Sequence, residues 1–262
     1  MQRGAEIVVR GAGVTYPGAA TPTLQDLTLT IAPGEFLVVV GPSGCGKSTL
    51  LRTINRLIPL GAGSIAIDGT DIASLDPVAL RRSIGYAIQA VGLFPHMRVG
   101  ANVAIVPELL GWSRERIAAR VDALLTLVHL DPERYRDRFP RELSGGEAQR
   151  VGVARAIAGE PRVLLMDEPF GAVDAIVRSQ LQDEMLLLVR ELETTTLFVT
   201  HDVDEALLLA DRIAVVNRGR IEQIGTPLEV LANPVSPFVE RLFHANDAVV
   251  ELREKAREQH HR

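Results

Sequence analysis

Four short runs in this 262-residue chain carry residue types suited to polyphosphate chemistry. In GPSGCGKST, Gly41–Thr49, the residues Gly41, Gly46, Lys47 and Ser48 occupy the fixed places of G-x-x-x-x-G-K-[ST]. Glycines at that spacing let backbone N–H groups converge on phosphates, and the positive end of a following helix opposes their charge. Lys47 is placed to reach β- and γ-phosphates, Ser48 to offer its hydroxyl oxygen to Mg2+, and Pro42, Ser43, Gly44, Cys45 and Thr49 complete the cradle. VLLMDEP, 163–169, is an apolar run closed by two carboxylates that divide two tasks: Asp167 orders a Mg2+ shell, and Glu168 polarises a water for attack on the γ-phosphate. His201 follows the apolar run TLFVT and is placed for a γ-phosphate contact, and Gln89 closes IGYAIQ, where its amide can sense Mg2+ or the attacking water. Each of the last three is unremarkable alone, and the phosphate cradle gives them meaning together.

LSGGEAQR, Leu143–Arg150, is not required by an enzyme that grips phosphate with one loop. Ser144 predicts a helix cap, and Gly145 and Gly146 expose backbone N–H groups, so this is a second anion-binding helix start. Two grips in one chain serve either two ligands or one ligand held by two chains.

The elements that must position these groups read from the apolar pattern. EFLVVV, 35–40, predicts a strand entering the cradle, and STLLRTINRL predicts a helix leaving it. Glu6–Arg10, Val14–Tyr16 and Leu27–Ile31 predict short strands, separated by Gly and Pro, that form an antiparallel edge beside the cradle strand. Gly63–Ile67 and Gly85–Gln89 predict further strands. Helical patterns fill Asn102–Leu110, Arg114–Val128 and Gly146–Ala158, after which strands return at Val163–Asp167, Thr195–Thr200, Arg212–Asn217 and Arg220–Gly225, with a long helix over Asp174–Leu192. Apolar runs ending in chemistry put Glu168 and His201 at the carboxyl edge of one parallel sheet, where ligands of α/β proteins gather. TPLEVLANP opens a helix on a Thr cap and Pro, and Pro237–Phe243 predicts another. The charged stretch 250–262 reads as a solvated or fraying helix rather than a metal site, since His260 and His261 are sequential and no carboxylate partner is placed.

A formal net charge of −5 disfavours a surface that tracks nucleic acid. The single cysteine, Cys45, allows no intrachain disulfide and reads as a small residue fitting the loop in a reducing compartment. No apolar run reaches the ~18 residues of a membrane span, and nothing near Met1 marks the chain for export. Any membrane role runs through partners.

Together these motifs resemble the ATP-binding subunit of an ABC transporter over nearly the whole chain, from Ile7 to Phe243. The resemblance identifies Gly41–Thr49 as Walker A, Gln89 as the Q-loop, Leu143–Glu147 as the signature motif, Val163–Glu168 as Walker B, Gly171–Asp174 as the D-loop and His201 as the switch histidine. It also matches Tyr16, in VTYPG, to an aromatic that stacks on adenine, and brings Glu147 and Asp174 into the ATP site. The implied fold is α/β: a P-loop NTPase, RecA-like core with an antiparallel β edge and an inserted α-helical subdomain. The core takes 1–89 and 160–225, the signature-motif subdomain 90–159, and a short helical extension 226–262, with no regulatory domain expected. The implied cofactors are ATP and Mg2+. The implied partners are a second copy in head-to-tail, ATP-dependent register, transmembrane permease subunits and, indirectly, an extracytoplasmic solute-binding protein, with no nucleic acid. The implied place is the cytoplasmic face of the membrane.

The run Ser83–Trp112, through GLFPHM to VPELLGW, is similar to importers of quaternary-amine osmoprotectants such as glycine betaine, choline or carnitine. The alternatives are an ABC ATPase for an amino acid, polyamine or ion, or a non-transport ABC protein. Two departures from the family pattern stand out: Glu147 replaces the commoner Gln in the signature motif, and Ala175 replaces a common Pro after the D-loop.

Overall fold

The apolar run before the cradle becomes a strand with all five residues buried, and the rest of the fold is arranged around it. The computed structural model describes residues 4–89, 92–171 and 173–244. The stretch 250–262 with His260 and His261 lies outside them, as do Ala90 and Val91 after Gln89 and Ala172 in the run before Asp174.

Strands β1 (Ile7–Val14), β2 (Leu24–Ile31) and β3 (Phe36–Val40) lead to helix α1 (Lys47–Ile54). Strands β4 (Ala62–Ile67) and β5 (Thr70–Asp71), helix α2 (Pro77–Ser83) and strand β6 (Ile84–Ala87) follow. Helices α3 (Val99–Leu109), α4 (Arg114–Leu127), α5 (Pro132–Tyr135) and α6 (Gly145–Ile157) come next. The chain then alternates β7 (Val163–Asp167), α7 (Ala175–Glu191), β8 (Thr195–Thr200), α8 (Val203–Leu209) and β9 (Arg212–Asn217), and ends in β10 (Arg220–Gly225), α9 (Pro227–Ala232) and α10 (Pro237–His244).

Six strands form one sheet in the order β10-β9-β3-β8-β7-β6, parallel except for the antiparallel edge strand β10. Because β3 is buried on both faces, its residues divide between two cores: Phe36, Val38 and Val40 face the cluster with Phe198 and Met166, and Leu37 and Val39 face the cluster with Leu50, Leu51 and Ile54. Burying each such side chain contributes about 1.5–3 kcal/mol. Among the described residues, no helix is long and apolar enough to cross a membrane.

The antiparallel strands do not pair with β3. They form a sheet of their own, β2-β1-β4-β5, that shares the second core. The predicted break between Glu6–Arg10 and Val14–Tyr16 is absent: β1 runs through Gly11, which takes φ +59, and absorbs the glycines as register shifts, while Tyr16 lies in the following loop. The strand predicted at Gly63–Ile67 pairs with β1, and β6 stops at Ala87, so Gln89 stands on a loop.

Candidate functional site

Strand register brings the chemistry to one edge. Val40 pairs with Thr200, Asp167 with Val199, and Ala87 with Met166, so the residues that follow each strand emerge side by side at the carboxyl end of the parallel sheet.

The loop 41–46 leaves β3 under tight constraint. A Cβ at Gly41 would stand 2.1 Å from the Val216 carbonyl oxygen, and Gly46, the N-cap of α1, takes φ +111. No side chain caps α1, so its first-turn N–H groups remain directed outward for an anion. Lys47 is buried, and its Nζ donates to the carbonyls of Gly41 at 2.7 Å and Pro42 at 3.1 Å, which curls the loop around the ammonium. The far side of the loop is tied to the β9–β10 turn, where Gly219 N–H donates to the Cys45 carbonyl at 2.9 Å. Cys45 is itself buried, and that burial pushes its thiol above the ordinary range, so it fills the loop as an unreactive thiol. The Tyr16 hydroxyl lies 3.1 Å from Thr49 Oγ1, which places the ring beside the start of α1.

Ser48 Oγ donates to Asp167 Oδ1 at 2.8 Å. Burial pushes the Asp167 carboxyl up and the neighbouring Glu168 charge adds to that, while the Ser48 hydrogen bond and the Lys47 and Arg52 charges oppose it. A buried carboxylate beside a hydroxyl is a hard-oxygen set suited to Mg2+, which takes one or two protein oxygens together with substrate phosphates and water. The donor chemistry therefore fits the ion.

Glu168 follows Asp167 in the left-handed region at φ +49, a strained setting for a side chain with a Cβ. Its backbone is fixed on three sides: its N–H donates to the Val199 carbonyl at 2.9 Å, and its carbonyl accepts from Gln149 Nε2 at 3.0 Å and from Gly171 N–H at 3.2 Å. Its carboxylate is held by two residues that the sequence reading assigned to Mg2+ or water and to the γ-phosphate: Oε2 accepts from Gln89 Nε2 at 3.0 Å, and Oε1 lies 3.1 Å from His201 Nδ1. Gln89 spends its amide nitrogen on Glu168, which leaves its oxygen for a cation.

His201 is exposed, on a loop that a buried network fixes from beneath. Thr200 Oγ1 donates to Glu205 and accepts from the Asp202 N–H at 3.0 Å, and Gln182 of α7 donates to Glu205 Oε1 at 2.9 Å. Burial pushes the Glu205 carboxyl up. Gln149, Gln182 and Glu205 escaped the sequence reading; Gln149 lies in the LSGGEAQR run, two residues past the end of the signature motif, but its contact with Glu168 spans 19 positions and has no local signature.

The second glycine-rich run forms the start of α6. Ser144 caps it, with Oγ accepting from Glu147 N–H at 3.3 Å and Ser144 N–H donating back to Glu147 Oε2 at 2.7 Å. Gly145 is exposed, with open space where a Cβ would stand. These polar contacts of Ser144 and Glu147 are local or to Tyr135, and none of them reaches the Lys47 loop of the same chain. Asp174 caps α7, its Oδ1 accepting from Val177 N–H at 3.1 Å, with its side chain exposed.

The family model for ABC transporters matches residues 24–171. The chain is 54% identical over 220 residues to the glycine betaine/carnitine/choline transport ATP-binding protein OpuCA of Bacillus subtilis, covering 84% of this chain and 58% of that one. It is 51% identical over 237 residues to the choline transport ATP-binding protein OpuBA of the same organism, covering 90% and 62%. The chain thus spans about three fifths of the length of these relatives. Among solved structures, the ATP-binding cassette MJ0796, in a dimeric post-hydrolysis state bound to ADP and Pi, superposes with a TM-score of 0.78 at 31% identity, covering 84% of this chain and 98% of that one.

Proposed function

The chain belongs to the ABC transporter family, and from that premise we propose that it is the ATP-hydrolysing subunit of an importer for a quaternary-amine osmoprotectant such as glycine betaine or choline. The observation that carries the catalytic part is the clamped Glu168 carboxylate, held between Gln89 and His201 beside the Ser48–Asp167 pair. The solute rests on the relatives, whose names specify glycine betaine, carnitine and choline.

On this reading the core is 1–89 and 160–225, the signature-motif subdomain is 90–159, and 226–262 is an extension. The Gly41–Thr49 loop and Lys47 bind the ATP phosphates, with Tyr16 on the adenine side. Ser48, Asp167 and the Gln89 oxygen hold Mg2+, which when bound supplies charge neutralisation at the β- and γ-phosphates. Glu168 accepts a proton from the attacking water, and His201 steadies the carboxylate and reaches the γ-phosphate. The outward-facing start of α6, Ser144 to Gly146, grips the γ-phosphate of ATP held by a second copy, with Asp174 at the same junction. Two copies then close on ATP at the cytoplasmic face of the membrane and drive permease subunits that receive solute from a binding protein.

The test is reconstitution with candidate permease subunits and a solute-binding protein. Stimulation of ATP hydrolysis by glycine betaine or choline, with uptake of the same solute, is expected. Stimulation by an amino acid, polyamine or inorganic ion instead would redirect the solute assignment.

A further inference from the structure

Glu147 puts a full negative charge in the first turn of the helix that, on the reading above, must receive an anionic phosphate. An unrestrained carboxylate there has two possible partners: the outward N–H groups of Gly145 and Gly146, where it competes with phosphate, or the helix flank. The structure holds it on the flank. Oε2 accepts from Ser144 N–H at 2.7 Å, and Oε1 accepts from the Tyr135 hydroxyl at 2.6 Å.

Tyr135 closes the short helix α5, and the guanidinium carbons of Arg138 and Arg134 stand 4.6 Å and 5.6 Å from its ring centroid. The two cations over the ring favour the release of the hydroxyl proton and so make it a stronger donor. The retraction also leaves Ser144 well set. Its oxygen accepts from Glu147 N–H, so its own O–H remains available to donate outward. The Tyr135 hydroxyl, foremost, with the Ser144 N–H lowers the Glu147 carboxyl to about 2, so it is charged at neutral pH.

We propose that Tyr135 is a positioning residue that holds the Glu147 carboxylate off the phosphate-facing start of α6, so that this chain keeps ATP capture despite an acidic signature motif. The inference rests on the reading that Ser144 to Gly146 receives the ATP of a second copy.

A double-mutant cycle read by ATP-dependent dimerisation in the Glu168→Gln background tests it. Tyr135 is half-buried and Phe keeps its ring, so Tyr135→Phe is expected to fold, with a melting temperature lowered only by the loss of its hydrogen bond to Glu147. It is expected to weaken the ATP-bound dimer about tenfold while Glu147 is present, and to have no effect once Glu147→Gln has removed the charge. Raising the salt concentration should shrink the defect, because the repulsion it exposes is screened. A purely structural role for Tyr135 would weaken the dimer equally in both backgrounds, and that result overturns the proposal. So does an unchanged dimer in Tyr135→Phe while Ser144→Ala disrupts it. If Ser144→Ala leaves the dimer intact, or ATP induces no dimer in the Glu168→Gln parent, the underlying reading of the signature run fails and takes the inference with it.

Discussion

The Nδ1 nitrogen of His201 lies 3.1 Å from Oε1 of Glu168, and the two side chains reach that contact from the ends of neighbouring parallel strands β8 and β7. Gln89 completes the clamp from the loop after β6, the strand on the other side of β7. Three loops therefore meet on one carboxylate. A shift in any of them, by nucleotide or by a partner subunit, is felt at the group proposed to activate water.

His201→Ala removes one side of that clamp and leaves the phosphate cradle untouched. Turnover should fall about 10²-fold, the lower end of what a positioned acid–base partner contributes, with KM for ATP little changed. Steady-state hydrolysis by the purified chain measures both numbers; a large rise in KM at normal kcat would place His201 in ground-state binding instead.

Ser48→Ala deletes the hydroxyl that bonds Asp167 Oδ1. The Mg2+ concentration needed for half-maximal hydrolysis should rise about 10- to 100-fold, the range seen when a metal site loses a supporting polar partner. Chelation of Mg2+ should abolish hydrolysis by the parent chain. Titration of activity with Mg2+ at saturating ATP checks both.

Gly41→Ala drives a Cβ to within 2.1 Å of the Val216 carbonyl oxygen, a backbone atom that cannot swing aside. A loss of about 1–3 kcal/mol in unfolding free energy is expected. Gly145→Ala, where the added carbon meets nothing within 4 Å, should be nearly neutral by the same measurement. Denaturant unfolding of the two variants gives the comparison.

The Glu147 carboxyl titrates at about 2 against an ordinary value of 4.5, so the folded form binds its proton less readily than the unfolded chain. The stabilisation from that carboxylate is accordingly complete above pH 4.5 and is lost as pH falls toward 2. The melting temperature of the parent should exceed that of Glu147→Gln by more at pH 7 than at pH 4. A constant gap would mean that the carboxylate contributes nothing specific at the cap.

Much of this was legible in the sequence because the motifs are local. The cradle, the paired acids and the capped start of α6 are each specified by a few consecutive residues, and the structure finds them on the predicted loop, strand end and helix start. What the sequence hid is long-range. Nothing in Glu6–Ile31 reveals that these strands make a separate sheet, since alternation fixes a buried face but not the partner strand. The glycines in GAG read as a break, whereas β1 takes them up as irregularities in register. Asp76 and Pro77 supply a cap and a first-turn proline for α2, but its seven residues are too few to display a helical apolar period. The support beneath His201 was invisible because Gln182 of α7 and Glu205 of α8 are 23 positions apart and meet only in the folded chain.

The most direct test of the account is the single-turnover hydrolysis of Mg2+-ATP by Glu168→Gln, run beside the parent chain with nucleotide binding measured on both. The substitution keeps the side chain's shape and removes its capacity to take a proton. ATP binding should persist, hydrolysis should fall about 10²- to 10⁴-fold, and the ATP-bound dimer should accumulate. Hydrolysis at the parental rate would contradict the assignment of Glu168 as the group that activates water.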